Sequence, residues 1–178
     1  MPIKLRHRVA VAALAVLSAG PAAAAPDPYS VLEPLVGEWD VGPAGGPPAF
    51  VERFTWGPSR GYLWMSVALL GGAEPEHLHF EGPIMWNAAT RRFDYLFAVE
   101  PGSLTQERGE FRVEADGSIV RDVVLTAASG TTANFRQTFR SLGDGRYEST
   151  LMRETAEGWQ PTFPGSDRLT MVRRAAGG

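Results

Sequence analysis

Between Gly37 and Val172 the chain alternates strand-like runs with turn-forming segments, and no run has a convincing helical period. The linking segments are rich in Gly, Pro, Asn, Asp and Ser, which supply the backbone angles of tight reversals. Ten short-linked strands pair antiparallel with their neighbours, and closure into a barrel removes the two edges of an open meander. We therefore predict an all-β protein, an antiparallel up-and-down β-barrel of about ten strands. The predicted strands are EWDV, AFVERFTW, YLWMSVALL, EHLHFEGPIMW, RFDYLFAV, LTQERGEFRV, SIVRDVVLTA, TANFRQTFRSL, RYESTLMRET and DRLTMVRR.

The segment DPYSVLEPLVG, ahead of the first strand, is the helical candidate of this chain. Pro34 would end a helix there or restrict it to about one turn, because proline has no N–H to donate. We expect a short N-terminal helical segment that lies across one mouth of the barrel.

The chain begins with the layout of a secretory signal. Lys4, Arg6 and Arg8 precede the apolar run VAVAALAVL, and small residues follow in PAAAAPDP. The apolar run is about half of the roughly 20 residues that a bilayer-spanning helix needs, so we expect no membrane span. We predict a signal peptide over residues 1–24, a single barrel domain over residues 25–178, and an exported protein that is periplasmic or secreted.

Charge and cysteine content limit the partners. Removal of residues 1–24 takes away three of the 17 basic residues and none of the 20 acids, which leaves a net charge of −6. The remaining cations are scattered arginines, so we expect no nucleic-acid partner. The chain has no Cys, which excludes disulfides and thiolate metal sites.

Alternation along the strands predicts which residues face the lumen. Apolar residues take alternate positions in several runs, and these faces belong inside the barrel. The aromatic residues exceed what a small barrel needs to seal itself, and a barrel of eight or more strands has room for a ligand unless large side chains fill it. Two alternatives remain open: a lumen with room for a ligand, and a core that side chains fill completely. The predicted ligand-binding residues are Trp56, Trp64, Trp86, Tyr95, Phe97, Phe135 and Phe139.

Two motifs carry a family resemblance. Gly37-Glu38-Trp39 resembles the Gly-x-Trp opening of the first strand in lipocalin-like (calycin) barrels, and FEGPIMWNAATRRFDYLF resembles a strand-turn-strand unit of secreted bacterial lipocalin-like domains of unknown function. The resemblance spans about residues 34–173. It implies that Trp39 packs at the closed end under an arginine of the last strand, and Arg168 and Arg173 are the candidates for this cation–π contact.

The chain is also distantly similar to nitrobindins, which are ten-stranded barrels that ligate haem through a late histidine. No histidine follows His79 here, and the glycine spacing departs from the nitrobindin pattern. The resemblance therefore supports the barrel, and we expect no haem or other cofactor.

His77, His79 and Glu81 occupy alternate positions and could form a two-histidine, one-carboxylate metal set. Three ligands from one strand spread over about 13 Å, which strains a site for one ion. Phe80 and Trp86 lie on the opposite, apolar face of the same run, so we expect the polar face to meet water or the rim, with no metal bound.

Other motifs are weaker. GPSRG matches the nucleophile-elbow string but precedes a strand-like run rather than a helix, so it predicts a hairpin turn. Glu52, Asp94 and Asp122 lie on largely apolar strands, and one could face inward with a raised pKa. Strand alternation favours the other reading, in which these acids pair with nearby arginines or face water.

We expect a non-catalytic binding protein that holds a small apolar or amphipathic molecule in the barrel mouth. The alternative is a small-molecule enzyme that uses an inward carboxylate or the His77/His79/Glu81 cluster. A buried carboxylate or a histidine at the cavity would favour the enzyme, and a dry aromatic lining would favour the carrier. A third reading is a protein-interaction module, because Trp159 and Phe163 lie among prolines in GWQPTFPG, where they could instead cap the open end.

Overall fold

A computed structural model describes residues 27–72, 75–100 and 102–174. The predicted signal peptide, residues 1–24, lies outside these residues. The described part of the chain forms strands β1 (Gly37–Pro43), β2 (Phe50–Trp56), β3 (Leu63–Leu70), β4 (Glu76–Asn87), β5 (Arg92–Val99), β6 (Gln106–Val113), β7 (Ile119–Thr126), β8 (Thr132–Gly143), β9 (Arg146–Thr155), β10 (Gly158–Pro161) and β11 (Leu169–Arg173).

Ten of these strands close into an antiparallel barrel. Each strand from β1 to β9 pairs with the next, and β11 closes the ring by pairing with both β9 and β1. The short strand β10 lies outside this ring and pairs with the far half of β9, from Met152 to Thr155. Sequence analysis placed β10 in a loop, and its four exposed residues carry no alternating pattern that would reveal it.

The predicted N-terminal helical segment is wrong. The structure has two isolated 3₁₀ turns there, Pro28–Val31 and Glu33–Leu35, with no longer helix in the described residues. A proline lies in the first turn of each, and Val36 already has extended backbone angles, so an i→i−4 ladder cannot propagate.

These two turns close one end of the barrel. Leu32 and Leu35 are fully buried, and the Tyr29 ring packs edge-on against Trp56 and tilted against Phe93. The Tyr29 hydroxyl donates to the carbonyl of Gly61 over 2.9 Å. Side chains rather than helix formation therefore hold the segment across this end.

Arg173 takes the position over Trp39 that the family resemblance implied. Its guanidinium carbon lies 4.4 Å from the Trp39 ring centroid, and its Nη1 donates to the carbonyl of Val36 over 2.8 Å. The Trp39 indole N–H donates to the carbonyl of Leu35 over 2.6 Å. Arg168, the other candidate, instead faces Glu148 on the surface.

The core fills this closed half of the barrel. Its largest fully buried side chains come from β1, β2, β5, β6 and β8: Trp39, Phe54, Phe97, Phe111 and Phe139. Strand alternation is regular in β5, where Phe93, Tyr95, Phe97 and Val99 are buried and their neighbours are exposed.

A β-bulge interrupts the alternation in β4. Val67 of β3 pairs with Phe80, but the next residue, Ala68, pairs with Leu78, so His79 is an extra residue in β4. Phe80, Gly82 and Ile84 face the interior at alternate positions. On the N-terminal side of His79 the alternation is shifted by one residue from the pattern predicted from sequence.

Candidate functional site

The open half of the barrel contains a cavity of about 320 Å³. Its walls are mainly apolar, and its lining side chains fall into two layers. The deep layer is buried and consists of Phe50, Glu52, Val67, Phe80, Glu107, Arg121, Val123 and Gln137. The outer layer is partly exposed and consists of Leu69, His79, Leu125, Phe135, Leu151, Thr162 and Phe163. This gradient defines a floor and a mouth.

The floor carries a polar network centred on Arg121, which is 3% exposed. Its Nη2 donates to Glu107 in a buried ion pair, and its Nη1 donates to the Gln137 side-chain carbonyl over 2.9 Å. Its Nε lies 3.5 Å from the Tyr95 hydroxyl. Each guanidinium nitrogen thus has a protein partner. Burial is the largest single influence and opposes the charged form of Arg121, but Glu107, Tyr95 and Glu52 together outweigh it, so the pKa of Arg121 is raised and the side chain stays protonated.

Aromatic rings also support the guanidinium. Its central carbon lies 4.9 Å from the ring centroid of Phe80 and 5.4 Å from those of Tyr95 and Phe97. A buried cation gains from the negative faces of such rings. Tyr95 and Phe97 therefore lie beneath the floor as its support, while Phe80 also lines the cavity.

Glu52 completes the floor. Gln137 donates from its Nε2 to Glu52 Oε1 over 2.7 Å, while Glu52 Oε2 is buried and has no hydrogen-bond partner among the described residues. Removal from water raises the pKa of Glu52 to about 7, against the smaller lowering effects of Gln137 and Arg121. Glu52, which lines the cavity, therefore changes charge near neutral pH and has one carboxylate oxygen without a partner in the described part of the chain.

The predicted aromatic set is divided by the structure. Phe135 lines the cavity, and Tyr95 and Phe97 support its floor. Phe139 is fully buried in the core. Trp56 and Trp86 pack with Tyr29 and Phe93 at the closed end. Trp64 lies on the outer side of β3, where its indole N–H is 3.3 Å from Glu81. As a set of ligand contacts these residues remain a prediction.

The bulge in β4 separates the three residues of the predicted metal set. Glu81 faces Trp64, His77 is exposed, and His79 lines the cavity mouth. His79 thus lies at the rim, one of the two positions expected for this polar face, and the extra residue in β4 shifts the strand phase so that it also lines the cavity. Among residues 27–72, 75–100 and 102–174, no three His, Asp or Glu side chains are grouped so as to hold a metal ion.

The three acids considered from sequence also differ in position. Asp122 lies outside the barrel, where it pairs with Arg112 and Arg136, and the exposed Asp94 accepts from Asn87 over 2.7 Å. Glu52 faces the lumen, contrary to the favoured reading. Sequence reasoning did not single out Glu107 or Gln137, and it treated the arginines of these strands, Arg121 among them, only as nearby partners for the acids. A signal existed for two of the floor residues: Gln137 lies between Phe135 and Phe139, and Glu52 between Phe50 and Phe54, in the inward phase of their strands.

Phe163 follows β10 and turns into the mouth. The backbone N–H of Phe163 is 3.1 Å from the Ser166 hydroxyl, and that hydroxyl donates to the carbonyl of Leu151 over 2.8 Å. Ser166 is fully buried. The segment singled out as an interaction loop therefore folds over the cavity at Phe163, while the Trp159 ring lies under Arg136 on the outside.

A second depression of about 620 Å³ lies outside the closed end, between the N-terminal turns and the strands that carry Trp86, Phe93 and Phe111. Its volume is larger, but most of its lining residues are exposed, as in an open surface groove. Buried polar groups converge on the lumen cavity instead, which makes the lumen the stronger candidate site.

Fold and site together define a closed antiparallel β-barrel with an apolar lumen cavity and a charged floor. The chain matches no protein-family model, no curated protein and no solved structure. The likeness to lipocalin-like barrels therefore rests on the ten-stranded architecture and on the Trp39–Arg173 contact. No helix in the part of the chain described is both long and apolar enough to cross a bilayer.

Proposed function

We propose that this protein binds a small, mainly apolar or amphipathic molecule in the lumen of its barrel. The observation that carries the proposal is the cavity of about 320 Å³, which is walled by apolar side chains and floored by Arg121, Glu107, Gln137 and Glu52. Ligand sites of this kind combine apolar walls with a few placed polar groups, and their volumes begin at about 300 Å³. The signal-like residues 1–24 support an exported protein that acts in the periplasm or outside the cell.

Blocking the cavity tests this proposal. Leu125 lines the mouth, and Leu125→Trp would place a larger side chain there. We expect this variant to lower the affinity for a fluorescent apolar probe by about tenfold or more, because the added ring competes for the same space. Leu96→Trp is the matched control, since Leu96 is 51% exposed on the outer side of β5. Equal probe binding by both variants would place the binding outside the lumen.

The natural molecule is best sought by native mass spectrometry of protein purified from its own host, with a survey of lipids and metals. A co-purifying molecule that L125W excludes and L96W retains would identify the ligand. A molecule retained by both variants would be bound elsewhere.

A proton-transfer enzyme is the second candidate. Glu52 has a pKa of about 7 and an oxygen without a hydrogen-bond partner among the described residues, which suits a general acid or base. His79 lines the mouth, where its Nδ1 lies 3.6 Å from Glu100 Oε1. The co-purified molecule should then incorporate deuterium from heavy water in the presence of the protein, and Glu52→Gln should abolish the incorporation. Binding without incorporation would leave the carrier as the function.

A further inference from the structure

We propose that the cavity selects ligands whose polar end donates a hydrogen bond, such as an alcohol or an ammonium, and that it rejects carboxylates. This selectivity rests on the proposed binding function and names the ligand class for the same cavity. The acceptor is Glu52 Oε2, the polar atom of the floor that has no hydrogen-bond partner within residues 27–72, 75–100 and 102–174.

The charge of the floor disfavours an anion. The charge of Arg121 is already balanced by Glu107, and its three nitrogens contact Glu107, Gln137 and Tyr95. With Glu52 ionised, the floor has one negative charge in excess. A carboxylate that reached the floor would therefore lose its water, meet Glu52 and Glu107, and have to displace Glu107 or Gln137 to reach the guanidinium.

Hydrogen bonding fixes the orientation of the groups around Glu52. Arg121 donates to the carbonyl oxygen of Gln137, so the amide nitrogen of Gln137 must face Glu52. That nitrogen engages Oε1, and Oε2 remains as an acceptor for an incoming O–H or N–H. A ligand donor at this position would satisfy a buried charged oxygen that is otherwise costly to leave unpaired.

The same orientation predicts the effect of Glu52→Gln. The carbonyl of the new amide must face the Gln137 nitrogen, because two facing donors repel, so its NH₂ group would take the place of Oε2. The floor would then present a donor instead of an acceptor. This substitution should remove the preference for ligands that donate a hydrogen bond while it preserves the size of the site.

Cavity volume sets the size of suitable probes. At about 30 Å³ for each non-hydrogen atom, a cavity of about 320 Å³ holds about ten such atoms. Octanol, octylammonium, octanoate and heptyl methyl ether have nearly this size. The alcohol is a neutral donor, the ammonium a cationic donor, the carboxylate an anionic acceptor and the ether a neutral acceptor. Homologues of about six to ten carbons test which chain length fits the cavity.

Calorimetric titration of these four probes into wild-type protein and E52Q, at about pH 8 where Glu52 is mainly ionised and an alkylammonium is charged, tests the selectivity. We expect octanol and octylammonium to bind wild-type protein about tenfold more tightly than the ether and octanoate, the size of one hydrogen bond to a charged group. In E52Q we expect octylammonium to weaken by about tenfold or more, and the ether to bind as tightly as octanol.

The outcomes separate the two proposals. Equal binding of all four probes, or tightest binding of octanoate, would overturn the selectivity and leave lumen binding intact. Failure of every probe at every chain length would overturn the binding function itself. Unchanged octylammonium affinity in E52Q would show that Glu52 is not the acceptor.

Discussion

At the scale of single residues, the floor of the cavity consists of charged and polar side chains that are buried inside the barrel. Arg121, Glu107, Glu52 and Gln137 occupy inward positions that apolar residues fill elsewhere on the same strands. Buried ion pairs add little net stability over apolar packing, because both charges lose their water. This network therefore adds little net stability, and the proposed ligand binding gives it a role.

Arg121→Met should destabilise the protein strongly. The substitution leaves Glu107 buried without its counter-charge and Gln137 without its donor, at a cost of about 3–5 kcal/mol in the free energy of unfolding. Urea denaturation measures this cost. Arg121→Met combined with Glu107→Gln removes both charges and should recover part of the loss. A double variant no more stable than R121M would show that packing around Arg121, rather than the ion pair, dominates.

Glu52 should make stability depend on pH. Its pKa is raised from 4.5 to about 7, so between these values the folded protein binds the proton more tightly than the unfolded chain. Its contribution to stability is therefore greatest below about pH 4.5 and declines as pH rises toward 7. Between about pH 5 and pH 8 we expect wild-type protein to lose on the order of 2 kcal/mol relative to E52Q. Parallel pH curves for the two proteins would contradict a buried, titrating Glu52.

At the scale of strands, the alternation of apolar and polar residues predicts most inward-facing side chains, and the bulge in β4 is where this prediction fails. The ten barrel strands were recognisable because each run has strand-forming residues and turn chemistry at both ends. The bulge at His79 was not recognisable, because period-2 alternation cannot show an inserted residue. The floor was predictable only in part. Glu52 was considered as an inward acid, but the pairing of Arg121 with Glu107 joins β7 to β6 and depends on register, which alternation within one strand does not determine.

Gly109 illustrates how strands approach each other closely. It lies in β6 opposite Tyr95 and Val123, and a Cβ there would clash with the carbonyl oxygen of Asp122 and lie 3.0 Å from the Tyr95 hydroxyl. Gly109→Ala should cost about 1–3 kcal/mol, as overpacking does. Gly61→Ala is the control, because Gly61 has helical backbone angles and a Cβ there would meet only the Pro58 carbonyl oxygen, at an ordinary 3.9 Å. Similar melting temperatures for the two variants would mean that β6 and β7 shift freely.

At the scale of the whole molecule, the two ends of the barrel are built differently. The N-terminal turns, Trp39 and Arg173 close one end with backbone hydrogen bonds and aromatic packing. The other end is covered in part by the Phe163 turn, which depends on contacts between Ser166 and Leu151. Ligand entry should therefore occur at the Phe163 end.

The closed end offers a test of the family resemblance. Arg173→Met removes the cation over Trp39 and two hydrogen bonds to the carbonyls of Val36 and Pro34, which should cost about 1–2 kcal/mol. Arg168→Met removes an exposed arginine that precedes β11, at the end of the strand opposite to Arg173, and should cost about 0.5 kcal/mol or less. Thermal denaturation distinguishes them. Equal losses would mean that Arg173 does not lock the closed end.

The extra residue in β4 has a consequence for how this barrel could diversify. A one-residue insertion confined to a bulge shifts the phase of β4 from His79 to its start at Glu76, while the strand keeps its register from Phe80 to Asn87. The rim at His79 can thus exchange one chemical group for another without disturbing the buried layers beneath it. Residues at the mouth of the lumen can therefore be substituted independently of those at its floor.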